Sequence, residues 1–136
     1  MKTLNILLIE DDAIELMKFK RVLNKLELNH KITEAENGKI ALDILNAKEI
    51  IPNIIILDLN MPKLNGIEFL EILKKDEQLR NIPAIVLTTS NNYRDVLECY
   101  KIGIAGYILK PLKYDDYLEQ IKRMLQYWSI NELVSQ

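Results

Sequence analysis

The stretch "PNIIILDLNMPKLNG", residues 52–66, decides the fold. Ile54 to Leu57 read as a strand covered on both faces. It ends in an ionisable residue, Asp58, and Met61-Pro62 follow three residues later. A carboxylate at the buried end of an apolar run is costly unless something pairs with it. The rest of the chain has to supply that partner.

Four further apolar runs recur: "LNILLI" (4–9), "KITEA" (31–35), "AIVLT" (84–88) and "AGYIL" (105–109). Between them lie segments of helical period. Ile14, Met17, Val22 and Leu26 share one face, as do Ile40, Ala41, Ile44 and Leu45, and then Ile67, Leu70 and Leu73. Tyr93, Val96, Leu97 and Tyr100 form the next face, and Tyr114, Tyr117, Leu118, Ile121, Leu125 and Trp128 the last. Asn37-Gly38 and Asn65-Gly66 punctuate loops before helices, and Gly103 stands where a helix ends. Strand and helix alternate five times. That predicts an α/β fold, a doubly wound five-stranded parallel sheet with right-handed crossovers and five helices.

The 136 residues suit one domain, 1–136, with 129–136 as a short tail that frays or extends the last helix. At 49% hydrophobic and 28% charged the composition is that of a globular protein. A net charge of -2 gives no electrostatic case for nucleic acid, so no direct DNA binding is expected. Apolar runs reach about five residues, far short of a membrane span. The single cysteine, Cys99, excludes an internal disulfide and fits a reducing cytoplasm; its expected role is helix packing.

In an open parallel sheet, sites form beyond the carboxyl ends of the strands. After the first run stand Glu10, Asp11 and Asp12, and after the third Asp58. The fourth closes on Thr88, followed by Thr89 and Ser90, and the fifth runs into Lys110-Pro111. The second offers only Glu34 and Glu36, to which no role is assigned. Each feature alone is an ordinary cap or surface residue; their joint placement at one sheet edge is not accidental. Two carboxylates about 4 Å apart repel by roughly 4 kcal/mol at an effective dielectric near 20. A hard divalent cation relieves that, and Mg²⁺ suits a few carboxylates with water and phosphate oxygens. Lys110 adds a fixed positive charge. An aspartate so placed is a nucleophile for phosphoryl transfer.

At these residues the chain resembles the response-regulator receiver domain of two-component signalling. The acidic pair, "DLNMP", "LTT" and "GYILKP" occur in that order, over residues 4 to about 127. The nearer likeness is to single-domain regulators, chemotaxis-regulator-like or phytochrome-partner-like. The resemblance implies a flavodoxin-like strand order 2-1-3-4-5. It implies Asp58 as phosphoacceptor and Glu10, Asp11, Asp58 and the Asn60 carbonyl as the Mg²⁺ site. It implies Thr88 and Lys110 as phosphoryl contacts, and Thr88 with Tyr107 as the switch pair. Asp12 is left as a helix N-terminal residue, Met61-Pro62 and Gly66 as the loop after the acceptor, and Pro111 as preceded by a cis peptide. Glu10 replaces the second Asp of many members, and Thr89 their Ala.

The implied partners are a histidine kinase or phosphotransfer protein and an unknown downstream protein. No catalytic turnover is expected beyond slow self-phosphorylation and dephosphorylation. Output would pass through the face of the fourth helix, fifth strand and fifth helix, with a homodimer there as one form. Tyr127-Trp128 would either anchor an interface or cap the domain's own core. Three rival readings fare worse. A haloacid dehalogenase-type phosphatase needs a second Asp where Asn60 stands. A flavodoxin-like cofactor carrier needs a phosphate-binding loop where Glu10, Asp11 and Asp12 would repel it. A degenerate receiver, binding without phosphorylation, would not keep every matched residue.

Overall fold

Five strands and five helices alternate along the chain in a computed structural model that describes residues 2–134. They are β1 Asn5–Ile9, α1 Ala13–Lys25, β2 Lys31–Ala35, α2 Gly38–Ala47 and β3 Ile54–Leu57. There follow α3 Gly66–Lys75, β4 Ala84–Thr88, α4 Tyr93–Ile102, β5 Gly106–Leu109 and α5 Tyr114–Ser129. The sheet is parallel throughout, in the order β2-β1-β3-β4-β5. Of the expected tail, Ser129 closes α5 and residues 135–136 lie outside the described residues. The segment between is not helical; Leu133 packs on the core and Glu132 pairs with Lys2.

Alternation along the central strands divides the core in two. Leu7, Ile9, Ile55, Leu57, Ala84 and Val86 face Ala41, Leu45, Phe69, Leu70, Leu73 and Cys99 of α2, α3 and α4. Ile6, Leu8, Ile54, Ile56, Ile85 and Leu87 face Phe19, Val22 and Leu23 of α1, and Tyr117, Ile121 and Leu125 of α5. The edge strands β2 and β5 are only partly buried, which is why their sequences are less apolar.

Local signals fix the helix starts. Asp12, Asn37, Asn65 and Asn92 each accept a backbone N–H of the following helix, and Glu68 completes a capping box at α3. Asp12 therefore is the helix N-terminal residue that the sequence implied. At the end of α4, Gly103 takes φ +117°, which disfavours any side chain.

Two helix faces differ from expectation. Ile14 and Met17 of the expected α1 stripe are exposed, whereas Val22 is buried and Leu26 packs on the core; Phe19 and Leu23, outside that stripe, complete the buried face. On α4, Tyr93, Leu97 and Tyr100 point to solvent, and Cys99 is the buried residue. Tyr127-Trp128 divides between its alternatives: Trp128 packs on the core while Tyr127 is exposed.

Candidate functional site

The β1, β3 and β5 termini bring their following residues to one open cleft of about 300 Å³. Its lining includes Glu10, Asp11, Asp58, Asn60, Thr89 and Lys110. The register explains this. Ile9 pairs with Leu57, so the next residues, Glu10 and Asp58, fall side by side. Thr88 pairs with Leu109, and the Lys110 N–H donates to the Thr88 carbonyl at 2.8 Å.

Carboxylate oxygens of Glu10, Asp11 and Asp58 lie within 4.8 Å of one another. They differ in setting: Glu10 is buried, Asp58 half-buried and Asp11 exposed. One Asp58 oxygen, Oδ1, already accepts the Leu59 N–H at 2.8 Å. Burial, with the Asp58 charge behind it, pushes the Glu10 carboxyl above its usual range in spite of Lys110. Three oxygen donors under mutual repulsion are the donor set a small hard cation takes, so the residues present fit Mg²⁺.

Lys110 is the nearby cation. Its Nζ donates to Glu10 Oε1 at 2.8 Å, and both side chains are under a tenth exposed. Burial alone would lower the ammonium's pKa. The hydrogen bond that the ammonium donates to Glu10, with the charges of Glu10, Asp58 and Glu15, outweighs burial and holds it above the usual lysine value. Glu15, on the first turn of α1, is a second partner at 3.4 Å. Sequence reading gave Glu15 no role. The one signal it offered was an acidic residue in the first turn of α1, three residues after the Asp12 cap, which by itself is an ordinary helix-dipole position.

Thr88 and Tyr107 lie off the cleft. Thr88 is fully buried, and its hydroxyl accepts the Ser90 N–H at 3.3 Å. Thr89, not Thr88, lines the opening. The Tyr107 hydroxyl donates to the Ser90 carbonyl at 2.8 Å, so the two expected switch residues meet at one loop residue. Gly66 is the close approach in the acceptor loop: a Cβ there would lie 2.7 Å from the Asp58 carbonyl oxygen. The expected cis bond before Pro111 is absent; no peptide among the described residues is cis, in keeping with the intrinsic trans preference of X–Pro. Burial pushes the Cys99 thiol to about 11, so it is inert at neutral pH.

Residues 6–122 match the family model of the response regulator receiver domain. The chain belongs to that family. A probable methanogenesis regulatory protein, FilR2 of Methanothrix harundinacea, is 35% identical over 127 residues, covering 90% of this chain and 82% of that one. Response regulator Rcp1 of Synechocystis is 31% identical, over 90% of this chain and 87% of its own. The phosphorylated cyanobacterial phytochrome response regulator RcpA superposes with a TM-score of 0.91 at 29% identity, covering 98% of this chain and 100% of that chain. The receiver fold, with its strand order, is thus shared with known receivers of two-component signalling. Among the described residues, no helix is long and apolar enough to cross a membrane.

Proposed function

We propose that this receiver accepts a phosphoryl group on Asp58 from the phosphohistidine of a partner kinase or phosphotransfer protein, in a Mg²⁺-dependent reaction. The observation that carries this is the convergence of Glu10, Asp11 and Asp58 on one point beside Lys110. Glu10, Asp11, Asp58 and the Asn60 carbonyl would hold the ion. When bound, Mg²⁺ supplies charge neutralisation at the phosphoryl oxygens. The free oxygen of Asp58 attacks phosphorus in line. The P–O bond forms as the P–N bond breaks, and its electron pair returns to the leaving imidazole. Lys110 is positioned to meet the developing charge on the phosphoryl oxygens. One acyl phosphate forms per chain, so the protein is a stoichiometric acceptor, with slow self-phosphorylation from small donors and slow dephosphorylation its only turnover.

The new charge at the end of β3 is the switch input. Thr88 moves towards it, and Tyr107 repacks behind Thr88. The face of α4, β5 and α5 is thereby reshaped, and Tyr93, Leu97 and Tyr100 with Leu109 and Tyr127 already expose apolar surface there. Output is a protein contact on this face, with a downstream protein or a second copy of the chain, in the cytoplasm. Exposed Ile14 and Met17 on α1 and Leu112 after Lys110 offer apolar contacts to a kinase approaching the cleft. Two solved relatives, the phosphorylated response regulator RcpA and the Mn²⁺-bound form of response regulator Rcp1, support the acceptor and metal readings.

Intact mass after incubation with Mg²⁺ and a small acyl-phosphate donor tests the reading. One added phosphoryl group in the wild type, absent in Asp58→Asn and absent with EDTA, is expected. Equal phosphorylation of Asp58→Asn would overturn the acceptor assignment. Sedimentation of the two forms over a concentration series tests the dimer, and identical masses throughout would remove it.

A further inference from the structure

Glu10 has two claimants. Its Oε1 accepts the Lys110 ammonium at 2.8 Å, and its carboxylate is one of three that converge as metal donors. The Lys110 side chain is 8% exposed, so an ammonium that loses Glu10 is stranded in a poorly solvated place. On the proposed reaction, the phosphoryl group that Lys110 is to meet arrives only after the metal. An interval follows in which the ammonium needs another partner.

Glu15 stands ready for that interval. Its Oε2 lies 3.4 Å from Lys110 Nζ, at ion-pair distance, but makes no hydrogen bond although it is buried. Its other oxygen, Oε1, is 3.6 Å from Lys18 Nζ, an ion pair within one turn of α1. An ammonium carries three donors, so a small rotation of the lysine end exchanges one acceptor for the other.

We propose that Glu15 is a positioning residue, a standby seat that takes the Lys110 ammonium when Glu10 turns to the metal. This rests on the Mg²⁺ reading of the cleft. Glu15 thereby lowers the competition between Lys110 and the cation for Glu10, without being a ligand itself. With Glu15→Gln the ammonium stays on Glu10, and Mg²⁺ binds more weakly. The expected loss is about fivefold, within the range for coupled contacting residues.

Calorimetric Mg²⁺ titration of the wild type, Glu15→Gln, Lys110→Met and the double variant tests this, with thermal melts as the folding control. A loss with Glu15→Gln that shrinks below about twofold in the Lys110→Met background is expected, because the effect passes through the ammonium. An equal loss in both backgrounds would mean that Glu15 acts only as a distant charge, and would overturn the proposal. So would an unchanged affinity in Glu15→Gln. No Mg²⁺ binding by the wild type would instead overturn the metal reading, and this proposal with it. If Lys110→Met does not fold, the wild-type to Glu15→Gln affinity ratio is compared at low and high KCl. A ratio that persists in high salt supports a direct contact; one that collapses to unity is a screened distant field and sinks the idea.

Discussion

Lys110 and Glu10, exactly one hundred residues apart in sequence, meet at 2.8 Å with both side chains almost out of solvent. The pair joins the end of β5 to the end of β1 across the cleft. It also places a cation against one of three carboxylates that converge there. Stability and metal affinity are therefore opposed at this contact. Replacing Lys110 with Met leaves Glu10 buried without its partner, and the metal-free protein should lose about 3 kcal/mol, the low end for a broken buried pair. The same change removes a unit charge from the metal's side, and Mg²⁺ should bind about tenfold tighter. Urea unfolding without metal and calorimetric titration with it read the two effects. Both moving in the same direction would contradict this account.

Gly66 ties the fold to the acceptor. It begins α3, its N–H donates to the Leu59 carbonyl at 3.1 Å, and a Cβ would meet both the Asp58 carbonyl oxygen and Leu59 Cα at 2.7 Å. Neither obstacle is a flexible side-chain end, so the backbone must shift. Gly66→Ala should destabilise by about 2 kcal/mol, as overpacking does. It should also slow phosphorylation of Asp58, since the strain falls on the residue that carries the nucleophile. Unfolding midpoints and initial phosphorylation rates check this; a full rate with lowered stability would confine Gly66 to a packing role.

The Tyr107 hydroxyl is held by one acceptor, the Ser90 carbonyl, at 2.8 Å. Burial raises its pKa above the usual phenol value, so the group donates at any physiological pH. Tyr107→Phe removes the donor and keeps the ring. The expected loss is about 1 kcal/mol of stability. Because the Ser90 N–H is also bonded to Thr88, the loop between β4 and α4 should loosen, with amide exchange accelerated more at Ser90 than within β4. Unchanged exchange there would show that the hydroxyl does not hold the loop.

The sheet and its cleft were legible because a strand covered on both faces leaves a continuous apolar run, as Ile54 to Leu57 do, and because the next residue, here Asp58, must then face the strand ends. The family motifs added strand order. Helix faces were less legible where two faces are apolar. On α4, Tyr93, Leu97 and Tyr100 make a clean stripe, yet Cys99 and Ile102 meet the core, since periodicity marks an apolar face without saying what it faces. Glu15 was missed for a related reason. It reaches Lys110 only through the turn that α1 makes after Asp12, and no spacing to Lys110 in sequence records that approach. The burial of Thr88 and the exposure of Thr89 likewise depend on where β4 ends: Thr88 closes the strand inside the core, and Thr89 opens the bend that follows.

At the opposite end of the sheet, His30 Nδ1 accepts the Leu4 N–H at 2.9 Å. That bond needs an unprotonated Nδ1, so the imidazole is neutral with its proton on Nε2. Burial lowers the folded-state pKa below the usual histidine value of 6.5, and Lys2, Glu27 and Lys122 line the same cavity. In the window between the folded pKa and 6.5 the unfolded chain binds more protons, so stability rises with pH there. The contribution is complete above 6.5 and is lost as pH falls through the folded pKa. His30→Asn offers the Leu4 N–H an amide oxygen that does not titrate. Urea unfolding of both proteins from pH 7.5 to pH 5 should show the wild type losing stability relative to the variant as pH falls. A difference that stays constant over the range would mean that protonation of His30 does not reach the bond to Leu4.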